Sequence, residues 1–230
     1  MDSNAYLFFG YSLIFWLLSY LIIRKSRSTA NLLFSTSTFL YGVGTLFSGI
    51  GWGFFSTTSN ISYTVMNFQI IINQLTFFAI AASFIVVAPL GIIFSGRTIL
   101  HGTIGYKDEL AKILLLIFFV IAVFNFFIYA TLSLKQNFMF EDTLTAFTLI
   151  LSFYVYFSLY KQIAEYRINF IFILLGFAIG IIALATGFVL FTLNQDSTAE
   201  VIRSFGPFTA VFVVLLSFTN LPQSFRNRNA

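Results

Sequence analysis

The chain alternates long stretches without a charged residue and short charged breaks. The charge-free stretches are 3–23, 28–96, 98–106, 113–134, 143–160, 168–195 and 204–225. A helix needs about 20 apolar residues to cross a hydrocarbon core ~30 Å thick, so most of these stretches read as single spans. The short stretch 98–106 holds His101, Gly102 and Gly105 and reads as loop. The stretch 28–96 is too long for one helix, and its middle, Gly49 to Asn60, is rich in Gly, Ser and Thr, as a turn region is. Seven spans result, near 5–23, 31–50, 70–94, 113–133, 143–160, 168–192 and 203–221. The pattern predicts an all-α membrane protein, a seven transmembrane helix bundle forming one domain over residues 1–230.

The basic residues orient this bundle. One set of connections holds Arg24, Lys25, Arg27, Arg97, Lys107, Lys112, Lys161, Arg167, Arg226 and Arg228, ten of the twelve Lys and Arg residues. The opposite set holds Lys135 and Arg203 alone. Positive charge is retained on the cytoplasmic side, which predicts the N-terminus outside and the C-terminus cytoplasmic. The first span is expected to remain as a helix rather than be cleaved. Met1-Asp2-Ser3-Asn4 has no basic start, and Arg24-Lys25-Ser26-Arg27 acts as a stop. No connection is long enough for a soluble domain.

Composition agrees with this picture. Hydrophobic residues make up 59% of the 230 residues, charged residues 9%, and the mean hydropathy is +0.93. Soluble domains carry roughly 25% charge, so a water-soluble fold is excluded. Twelve dispersed cations make no basic stripe for nucleic acid. Without cysteine, there are no disulfides, thiolate metal sites or thiol catalysis. Localisation to the cell or plasma membrane as a multi-pass protein is the expectation.

Ionisable residues inside a membrane mark function, and the spans as drawn contain none at depth. Arg203 stands at the outer mouth of the seventh span, with Glu200 three residues earlier as a partner. Proton relays, a Schiff-base lysine, paired haem histidines and intramembrane protease clusters are all missing from the spans, so no enzyme activity and no cofactor are expected. The uncharged polar residues supply the ligand-binding candidates: Asn73 and Gln74 in span three, Asn125 in span four, Tyr154 and Tyr156 in span five, Thr186 in span six. If these faces converge, they line a polar pocket; otherwise they are interhelical hydrogen bonds. The inner loop carrying Arg97, His101, Lys107 and Lys112 is the candidate surface for a protein partner.

Packing signals are present as well. Gly176, Gly180, Ala183 and Gly187 form a small-residue stripe in span six, and Ser35, Thr38, Gly42, Thr45 and Gly49 form another in span two. Pro89 can kink span three, and Pro207 fits the first turn of span seven. Asn60-Ile61-Ser62 is a glycosylation sequon on the outer side.

The layout resembles the seven-helix, N-out receptors and sensors, including the input modules that precede microbial histidine kinases. The similarity is one of topology. Span three ends in Ser95-Gly96-Arg97 where the large receptor class has an acidic-Arg-aromatic triplet, and Leu221-Pro222-Gln223 resembles one Pro-Gln pair of the PQ-loop transporters. Two functions follow as expectations. The first is a non-enzymatic membrane protein acting by association, either an accessory subunit or a sensor-like module with its output on a partner chain, or a homo-oligomer within the bilayer. The alternative is a transporter or channel for a neutral or hydrophobic small molecule.

Overall fold

The computed structural model describes residues 3–25, 27–55, 61–65, 68–101 and 134–218, together with six isolated positions between 113 and 124. Six helices are defined in full: α1 Ser3–Lys25, α2 Thr29–Phe54, α3 Gln74–His101, α4 Leu134–Gln162, α5 Arg167–Thr192 and α6 Asp196–Leu216. Between α2 and α3 lie two short strands, β1 Ile61–Val65 and β2 Phe68–Ile72. Five of the helices (α1, α3, α4, α5 and α6) are long and apolar enough to cross a membrane. Of the fourth predicted span, Ile113, Leu116, Ile117, Val120, Ile121 and Phe124 are described, all helical. Their spacing of three and four places them on one face of one helix.

The described helices close into a ring. α2 packs against α1 and α3, α3 against α4, α4 against α5, α5 against α6, and α6 returns to α1. The outward faces are apolar, with Leu13 and Leu17 on α1, Ile150 and Tyr154 on α4, and Leu175 and Ile182 on α5 all exposed. A protein apolar both inside and out is stable only where the outer face meets something other than water.

The small residues explain how the helices approach. On α2, Gly42 lies against Trp16 and Gly49 against Phe9, while the hydroxyls of Ser35 and Ser19 pair at 2.8 Å and those of Thr45 and Ser12 at 3.0 Å. This is the stripe legible in the sequence, and it faces α1. A second stripe faces α3: Ser37 donates to the Ala88 carbonyl, and Gly44 and Gly51 admit Ile85 and Phe78. With two faces given to Ser, Thr and Gly, α2 is not among the five helices apolar enough to cross a membrane, although its 26 residues extend ~39 Å. The α5 stripe packs on α6, where a Cβ at Gly176 would strike Val214 and one at Gly206 would strike Ala183.

Three local features depart from the sequence reading. The strands pair antiparallel from Ile61↔Ile72 to Val65↔Phe68, so ordered structure fills a connection expected to be polar loop. The alternating, β-rich Ile-Ser-Tyr-Thr-Val is the signal for it. Asn60 of the sequon lies outside the described residues. Next, α4 starts nine residues before its predicted boundary and α6 seven before, because the charged residues that served as boundaries lie inside the helices. Pro207 is consequently three turns into α6, not in its first turn. Lastly, α5 joins α6 through Leu193, Asn194 and Gln195, with Asn194 at φ 57°. Asn tolerates this left-handed geometry. The amides of Asn194 and Gln195 then satisfy the carbonyls of Phe191 and Leu190 and stop the helix.

Candidate ligand-binding cavity

The ring surrounds a partly open cavity of about 170 Å³ to which all six helices contribute. At one end it is lined by Trp52, Phe78 and Phe138, which belong to a cluster with Ala79, Ala82, Phe191 and Ala199. At the other end it is lined by Leu18, Phe34, Ile92 and Phe177, part of a plug of packed side chains that also holds Ile22, Tyr156, Leu159 and Phe170. Tyr156 centres that plug: its ring meets Phe34, Phe170 and Phe177 edge-on, and its hydroxyl donates to Ser95 Oγ at 3.3 Å. Between the two clusters the wall is mostly apolar, with Ile14, Phe15, Ile85, Leu149, Leu184 and Val211.

The exception is an ionic group on the wall. Arg203 Nε donates to both carboxylate oxygens of Asp142 at 2.8 Å, and Arg203 Nη2 lies 3.4 Å from Glu141 Oε2. The guanidinium also sits 4.2 Å from the ring centroid of Phe138, a cation–π contact. Asp142 is 3% exposed. Counting 1.5 Å per residue, Asp142 lies ~12 Å into α4 from Leu134, and Arg203 ~10 Å into α6 from Asp196. A shallower pair, Lys135 to Asp196 at 2.8 Å, ties the same ends of α4 and α6 together.

The sequence reading sets these charges at the ends of spans, whereas the structure puts them inside α4 and α6 and joins them. Arg203 pairs with Asp142 and Glu141, 61 and 62 residues away, and the expected partner Glu200 points outward and is exposed. A charge run broken by the helix boundary hid the group in the sequence. The available signal was compositional: two acids before one apolar span and a lone arginine at the same end of another. Burying either sign alone costs several kcal/mol, and a mutual pair offsets that cost. Pro207 also lines the cavity and, lacking an N–H, donates no helical hydrogen bond. Thr145 Oγ1 also lines the cavity, buried and with no hydrogen-bond partner among the described residues.

Of the described residues singled out from the sequence as ligand-binding, none lines this cavity. Asn73 is the cap of α3, its Oδ1 accepting from the Thr76 amide at 3.0 Å and the Thr76 hydroxyl at 3.1 Å. Gln74 is buried beside it and donates from Nε2 to the Gly51 carbonyl at 3.3 Å, joining α3 to α2. Tyr156 is in the plug, whereas Tyr154 is 72% exposed on the opposite face of α4, and Thr186 is exposed on α5. Asn125, Lys107 and Lys112 lie outside the described residues; Arg97 and His101 fall in the last turn and a half of α3. Among the described residues no group of three or more His, Asp or Glu is placed to hold a metal ion.

No protein-family model matches the chain, and neither the curated proteins nor the solved structures contain a match to it. What the chain does must therefore be argued from the cavity. By chemistry, the cavity can hold a molecule about the size of a substituted benzene, since an apolar cavity of roughly 150 Å³ takes up benzene.

Proposed function

We propose that the chain is a seven-span, N-out integral membrane protein that binds a small, largely apolar molecule in its central cavity. In this reading it acts as a receptor-like module whose output is a partner chain docked on the inner loop around Arg97, His101, Lys107 and Lys112. The observation that carries the reading is the cavity itself. It is lined by every fully described helix, so an occupant would touch all of them and bias their relative positions. The resemblance in topology to seven-helix sensors and the ten-to-two asymmetry of basic residues support the orientation.

A carrier for such a molecule is the second reading. It is favoured by the aromatic side chains clustered at both ends of the cavity, which would form the gates of a carrier. Fluorine NMR of the full chain in nanodiscs with para-fluorobenzyl alcohol tests the shared core of both. Saturable, one-to-one binding is expected, and Thr145→Phe, which puts a ring into the cavity, is expected to abolish it. Binding that never saturates, or that Thr145→Phe leaves intact in a folded protein, refutes the cavity as a ligand site. Release of the probe across a sealed vesicle membrane would select the carrier.

A further inference from the structure

A serine or threonine inside a helix commonly turns its hydroxyl back to the carbonyl one turn earlier, and α4 follows this habit with one exception. Thr143 donates to the Met139 carbonyl at 2.7 Å and Thr148 to that of Thr145 at 2.8 Å. Ser152 donates to the Thr148 carbonyl at 2.8 Å and Ser158 to that of Tyr154 at 3.1 Å. Thr145 carries the fifth hydroxyl of the helix. Its Oγ1 is buried and has no hydrogen-bond partner among the described residues. The residue lines the cavity. Two other threonines of the cavity wall, Thr38 and Thr45, donate to the Ser35 and Gly42 carbonyls at 2.9 and 3.0 Å. A buried hydroxyl without a partner is costly, and the partner that Thr145 lacks must come from inside the bundle.

Resting on the reading of the cavity as a ligand site, we infer that its occupant is a small neutral molecule with one hydrogen-bonding oxygen, an alcohol or a ketone, held by Thr145. The Thr145 hydroxyl donates to that oxygen. A helical threonine has two side-chain rotamers open to it, so rotation about Cα–Cβ presents the hydroxyl to the occupant without moving the backbone. The apolar body of the molecule lies against Leu149, one turn further along α4, and against Phe177 and Leu184 of α5, all in the same wall. A hydroxyl supplies one hydrogen bond and no charge, which matches a neutral oxygen on an otherwise apolar molecule. A hydrocarbon of the same shape fills the same space and leaves the Thr145 hydroxyl unsatisfied.

The test uses two probes of one shape, para-fluorobenzyl alcohol and para-fluoroethylbenzene, which carry a hydroxyl and a methyl at the same place. Binding is followed by fluorine NMR on the full chain in nanodiscs. Thr145→Val keeps the side-chain shape and removes the hydroxyl. It is expected to weaken the alcohol about fivefold, the size of one hydrogen bond, and to leave the ethyl compound unchanged. Thr145→Ser, which keeps the hydroxyl, is expected to retain the wild-type ratio of the two affinities. Comparing that ratio between proteins cancels the partitioning of each probe into lipid. A ratio that Thr145→Val leaves unaltered, as a hydroxyl satisfied by trapped water would give, overturns the inference and leaves the cavity reading standing. Equal weakening of both probes also overturns it, because only the shape of the cavity has then changed. If Thr145→Val does not fold, Thr145→Ala against Thr145→Ser carries the same contrast with the same two outcomes. Failure of both probes to bind the wild-type protein saturably overturns the inference and the cavity reading together.

Discussion

At the scale of single residues, the energetics concentrate on Arg203. Removing one partner of a buried ion pair leaves the other charge without compensation and costs about 3–5 kcal/mol, whereas replacing the pair by apolar residues is often neutral. Arg203→Met is therefore expected to lower the melting temperature steeply, and Asp142→Leu combined with Arg203→Met to recover much of the loss. Scanning fluorimetry of the three proteins in one detergent measures this. A single variant as stable as the parent would mean that the pair contributes nothing. Tyr156 and Tyr154 illustrate a different point. Two residues apart on a helix means about 200° of rotation, so one becomes the centre of the plug and the other faces outward.

At the scale of elements, close approach at small residues decides stability, because apolar side chains gain little by leaving a lipid environment. Gly206 and Gly176 admit Ala183 and Val214, and no Cβ fits at either position. Gly206→Val and Gly176→Val are each expected to destabilise the protein by about 1–3 kcal/mol through overpacking. Gly10 has open space around its missing Cβ, so Gly10→Ala is expected to stabilise α1 by about 0.5–1 kcal/mol. Thermal unfolding with matched lipid and detergent checks both signs. The stripes of α2 facing α1 and of α5 were readable from spacing alone. The second α2 stripe was not, since Ser37, Gly44 and Gly51 acquire meaning only when α3 lies on them.

At the scale of the whole molecule, the ring and its charge asymmetry make a topological prediction. The chain has no cysteine, so single cysteines report their side of the membrane without background. Asn4→Cys is expected to react with an impermeant maleimide added outside intact cells, and Asn229→Cys only after permeabilisation. Both residues reacting from the same side would exclude an odd number of spans. Among the described helices, α6 returns to α1 to complete the ring.

The sequence by itself determined the class of protein. Charge-free stretches of membrane length and a shortage of charge predict long apolar helices, and five of the described helices are long and apolar enough to cross a membrane. Physical chemistry dictates these features one residue at a time, through the cost of putting charge into hydrocarbon. It also made legible the helix-packing glycines, whose spacing repeats along one face. Only the tertiary structure decided the site. The outward faces of the helices are as apolar as many of the inward ones, so hydropathy alone does not say which face turns inward. For that reason Asn73 and Gln74 became a cap and an interhelical bond, and Thr186 turned outward. The charges that looked like boundaries became interior because Arg203 could reach Asp142 and Glu141, and a charge is tolerable in such a place only when distant parts of the chain bring its partner to it.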